Sequence, residues 1–76
     1  MHIEPFYKVV VDEDRKCFWI LGPMTDDRPL LDQLYAIKQT GRNVRFFTSP
    51  TSTPKQETAS QYASQTGFQY VEDFVL

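Results

Sequence analysis

The chain has 76 residues, 41% of them hydrophobic and 14% aromatic, a net charge of −2 and one cysteine. That length makes one domain near the lower limit for folding without staples, and the apolar fraction is too high for a disordered chain. One cysteine excludes an internal disulfide, no run of about 18 apolar residues spans a bilayer, and the slight acidity argues against broad phosphate binding.

The N-terminus lacks a basic stretch followed by an apolar one, so no export signal is expected, and the setting expected is reducing and cytoplasmic. Residues 6–11 read as a strand, with Phe6, Lys8 and Val10 on one face and Tyr7, Val9 and Val11 on the other. Asp12-Glu13-Asp14-Arg15 reads as a solvated charged turn. Residues 17–21 return, with Phe18 and Ile20 on one face and Cys17, Trp19 and Leu21 on the other, and Gly22-Pro23 stops the strand.

The central unit follows. Asp26 or Asp27 caps a helix that has Pro29 in its first turn. Leu30, Leu31, Leu34 and Ile37 form its apolar face, and Gly41 is the left-handed stop. A β-branched, aromatic strand covers residues 44–48. After a Ser/Thr/Pro loop, Thr53, Pro54 and Gln56 predict a capping box for a second helix. Its inward stripe is Ala59, Tyr62, Ala63 and Thr66; Gly67 ends it, and residues 68–76 read as a last strand. Gln39-Thr40-Gly41 recurs as Gln65-Thr66-Gly67, which is too short to be more than two uses of one helix stop.

The predicted fold is α/β (α+β): a small two-layer sandwich of order ββαβαβ, with a mixed four-stranded sheet and both helices on one face. A β-grasp-like sheet is the alternative. Two helices on one face would leave the other bare, yet both strand faces carry large apolar groups. An aromatic-rich sheet face is therefore expected to remain uncovered, and such patches mark contact surfaces.

No catalytic constellation is readable, so a non-catalytic interaction module is expected: self-associating, or a regulator or inhibitor of a partner protein. Its anchor candidates are Tyr7, Phe18, Trp19, Phe46 and Phe47. The alternative is a single-stranded nucleic-acid-binding domain using the same rings with Lys38, Arg42 and Arg45; ten carboxylates weigh against it. Cys17 has only His2 as a possible base or co-ligand and reads as a small buried apolar residue. No metal or cofactor is expected, the Asp12–Asp14 turn being too short for a calcium loop.

Overall fold

A computed structural model describes residues 3–76. Strand β1 (Phe6–Asp12) and strand β2 (Cys17–Met24) form an antiparallel hairpin. Helix α1 (Arg28–Gln39), strand β3 (Val44–Pro50), helix α2 (Lys55–Thr66) and the short strand β4 (Gln69–Tyr70) complete the ββαβαβ order. The sheet order is β3-β1-β2-β4; β1 is antiparallel to β2 and β3, and β2 is parallel to β4. The β-grasp-like alternative is not needed.

The helices do not share a face. Leu34, with Leu30, Leu31 and Ile37 beside it, packs on Val10, Cys17, Trp19 and Val44. Ala59, Tyr62 and Ala63 of α2 pack on Val9, Val11, Phe18 and Ile20. Consecutive strand residues point to opposite faces, so the sheet lies between the helices in three layers rather than two. Strand order explains this. The step from β2 to β3 and the step from β3 to β4 cross the sheet in opposite directions, and right-handed crossovers of opposite direction place their helices on opposite faces.

The same arrangement overturns the expected bare aromatic face. One face is covered by α1 and by residues 71–76, the other by α2. The face assignments within β1 and β2 hold as read from the alternation. The last strand does not. It stops after Tyr70; Val71 still donates its N–H to Phe18 O (2.9 Å), but Glu72 and Asp73 then bend the chain away from the ladder. Phe74 consequently falls on the α1 face rather than with Phe68 and Tyr70.

The helix ends also depart from expectation. Asp27 stands at the N-cap of α1 without a side-chain capping bond. Its carboxylate instead receives Lys8 Nζ at 2.9 Å. Lys8, 6% exposed, is further held by Thr48 Oγ1 at 3.2 Å and lies 5.5 Å from the Phe46 ring centroid. A buried lysine needs such partners, and the pair ties the start of α1 to β1. Asp26 accepts the Arg28 side chain and backbone N–H, and these bonds hold its carboxyl at about 2. The capping box of α2 does not form: Pro54 is the N-cap, and the buried Thr58 donates its N–H and hydroxyl to Pro54 O. Gly41 and Gly67 are the predicted stops, with φ of +94° and +71°.

Gly22 does not end β2. The strand continues to Met24 through an irregular step, in which Leu21 faces Lys8 and Met24 faces Phe6. One extra β2 residue is accommodated as a bulge. Gly22 sits at φ +112°, and a Cβ there would meet Met24 N at 2.9 Å and Phe6 O at 3.0 Å. Both obstacles are backbone atoms, so Gly22→Ala is expected to destabilise the protein by about 1–3 kcal/mol. Urea unfolding checks this; an unchanged midpoint contradicts it.

Candidate functional site

The five anchor candidates separate by burial and by face. Phe18 (0% exposed) lies in the α2-side core against Tyr62 and Tyr70, and Trp19 (2%) lies in the α1-side core with Phe74 edge-on at 5.2 Å. Both are structural, and a partner could reach them only by displacing what covers them. Tyr7 is partly buried against the α2-side core. Phe46 and Phe47 lie side by side in β3 on opposite faces. Phe46 is flanked by the Tyr35 ring (5.5 Å, perpendicular), Lys8 and Lys38; Phe47 is 37% exposed and contacts Tyr62 and Arg45.

What remains open is the edge of β3. The outer strands of the sheet are β3 and β4, and β4 is only two residues long. Glu13 donates its N–H to Asn43 O at 2.9 Å, which sets the phase of the β1–β3 ladder. Antiparallel pairing alternates, so Arg45, Phe47 and Ser49 exchange bonds with β1 while Val44, Phe46 and Thr48 turn their N–H and C=O groups outward. Pro50 has no donor, and its carbonyl accepts the Thr53 N–H at 3.4 Å. Edge strands of this length are usually blunted by charge, a bulge or a cover. Here Arg45 points to the α2 face, where Glu13 pairs with it; Val44 is buried at 1% exposed, so the accessible outward groups are those of Phe46 and Thr48.

Tyr35 and Phe47 flank this edge, one on each face. They are 53% and 37% exposed, two of the four exposed large apolar residues among those described. Tyr35 was not singled out by the sequence pattern. It stands one turn beyond Leu31 on the margin of the α1 stripe, where an aromatic reads equally as core or as surface.

Lys38, Arg42 and Arg45 do not form one basic stripe. Lys38 sits over Phe46 on the α1 face, Arg45 over Phe47 on the α2 face, and Arg42 is turned to Asp12. Cys17 is 8% exposed, and burial, reinforced by the nearby Asp12 carboxylate, pushes its thiol up from the ordinary range. A thiol kept protonated is a poor nucleophile; His2 lies outside the described residues.

The charged turn is more than a solvated loop. Asp12 is fully buried and accepts the backbone N–H groups of Asp14 and Arg15, both at 3.1 Å, and the Arg42 guanidinium, while the Arg15 guanidinium is ion-paired with it at 3.6 Å. Asp14 is exposed and takes the Asn43 backbone N–H and side-chain amide, which lower its carboxyl pKa. Among the described residues, no three His, Cys, Asp or Glu side chains converge as a metal site. A shallow groove of about 530 Å³ lies between the start of α2 and the end of β4, lined by Lys55, Gln56, Ala59, Tyr70 and Glu72. Its polar groups are exposed or half-buried. No helix of the described residues is long and apolar enough to cross a membrane.

No protein-family model, no curated protein and no solved structure matches the chain.

Proposed function

We propose that this protein is a small non-catalytic interaction module that engages its partner by pairing a strand with the open edge of β3. The observation that carries this reading is the pair of outward backbone positions at Phe46 and Thr48, bracketed by exposed Tyr35 and Phe47. Strand addition uses such a row: the main-chain bonds supply affinity and the flanking side chains supply selectivity. The buried Phe18 and Trp19 are no longer part of the contact. A reducing, cytoplasmic setting fits a chain whose single cysteine is a buried thiol.

A second copy is the partner best suited to this edge. Antiparallel self-pairing about a two-fold axis through Phe46 lays Arg45 of one copy opposite Phe47 of the other. No like charges face each other, and cation–π pairs across the junction are favourable. Light scattering over a concentration series is expected to show a monomer–dimer equilibrium. Thr48→Pro removes an outward N–H without touching a β1–β3 ladder bond and is expected to weaken the dimer at least about tenfold, the worth of roughly one hydrogen bond. Phe47→Lys is expected to act in the same direction. A monomer at every concentration rejects self-pairing, and dimerisation indifferent to both changes rejects the edge.

A further inference from the structure

Residues 71–76 form an irregular strap across the α1 face. Beyond Val71, no backbone N–H of the strap is donated to another backbone group among the described residues. Side chains of the body hold it by its carbonyls instead. Trp19 Nε1 donates to Asp73 O (2.9 Å), Arg15 to Val75 O (2.9 Å) and Leu76 O (3.1 Å), and Arg42 to Leu76 O (2.6 Å). Phe74 and Leu76 point inward, Phe74 edge-on to Trp19, while Val75 is 64% exposed between them. The strap is thus recognised as a peptide is recognised in a groove: alternate side chains enter an apolar trough and the main chain is read by fixed donors.

The donors at the end of the trough are built for an anion. Two guanidinium groups converge on a single oxygen, Leu76 O. Beneath them the fully buried Asp12 carboxylate holds both, and its other oxygen is engaged by the turn. The cluster of Arg15, Arg42 and Asp12 carries a net charge of +1. A carboxylate balances that charge and suits the guanidinium fork.

We propose that the trough between Trp19 and α1, closed by Arg15 and Arg42, is a docking site for a peptide end bearing a free carboxylate, an aliphatic last residue and an aromatic residue two positions before it. Residues 74–76 occupy the site in cis as a releasable strap. The site is separate from the β3 edge, and Thr48→Pro is expected to leave it unchanged.

Hydrogen exchange on the unaltered chain is the first test. The Trp19 indole N–H, which donates to Asp73 O of the strap, is expected to exchange at least about 100-fold faster than the Val10 amide in the sheet centre, because release is a local opening. Equal protection would overturn the proposal by making the strap part of the cooperative core. The second test uses the Phe74→Ala chain, in which the strap is weakened and the trough is intact. A synthetic peptide of the sequence 71–76, as free acid and as C-terminal amide, is titrated while the Trp19 indole resonance is followed. Saturable binding is expected, with the acid about 10- to 100-fold tighter, since a charge-assisted bond distinguishes the two. Arg15→Gln in that background is expected to narrow the difference. Absence of binding, or equal affinity of acid and amide, rejects the site. If Phe74→Ala does not fold, the exchange comparison on the unaltered chain decides.

Discussion

Replacing Asp12 with alanine is expected to destabilise the protein by about 3–5 kcal/mol, the usual result of removing one partner from a buried charge pair. Asp12 has no exposed surface, and four groups converge on its carboxylate: two backbone N–H groups of the hairpin turn and two guanidinium groups. Alanine leaves the Arg42 guanidinium, 23% exposed, without its carboxylate, and releases the turn donors that hold the hairpin closed. The Arg15 contact, at 3.6 Å and half-exposed on the arginine side, contributes little of this. Asp12→Asn keeps an acceptor for the turn and loses the charge, so it should fall between alanine and the parent. Chemical denaturation resolves the order. Equal stability of all three would mean that water replaces the carboxylate at no cost, which a fully buried position does not allow.

The alternation of β1 and β2, the α1 stripe, both glycine stops and the ββαβαβ order were legible in the sequence because each is a local signal. Period-2 and period-3.6 patterns depend on a residue and its near neighbours, and a positive-φ stop needs a glycine where the pattern ends. What was not legible depends on contacts distant in the chain. Asp27 looks like a cap until Lys8, 19 residues away, is seen to need a carboxylate. Asp12 looks like a solvated turn residue until Arg42, 30 residues away, folds onto it. The number of layers was misread for the same reason. Strand order decides whether two crossovers wind in one direction or reverse, and strand order is a pairing property that a single sequence does not display.

That misreading moved the candidate site. With both helices on one face, the surplus aromatics become a contact surface; with one helix on each face, they become two cores. An interaction module would then use backbone groups rather than sheet-face side chains. The sheet faces are covered, β4 is only two residues long, and β3 offers accessible outward groups at Phe46 and Thr48. Tyr35, unremarkable as one residue of a helix, gains meaning because it stands over that edge.

Phe18→Ala and Phe47→Ala are expected to behave oppositely, and the contrast separates core from surface. Phe18 is fully buried among Val9, Val11 and Ile20, with Tyr62 and Tyr70 at ring distances of 6.2 and 5.5 Å. Truncating such a ring removes its transfer free energy and leaves a cavity, a loss of about 3–5 kcal/mol. A chain of this size holds roughly 4–11 kcal/mol in total, so the Phe18 variant should melt tens of degrees lower, at roughly 4–8 °C per kcal/mol. Phe47 is 37% exposed and meets Tyr62 and Arg45 on one side only, so Phe47→Ala should cost no more than about 1.5 kcal/mol. Its effect should appear instead in the association equilibrium of the β3 edge. Thermal melts and light scattering on both variants read the two properties independently. A Phe18 variant that keeps its stability and loses association would restore a sheet-face interface. A Phe47 variant as unstable as the Phe18 variant would place that ring in the core and remove it from the edge.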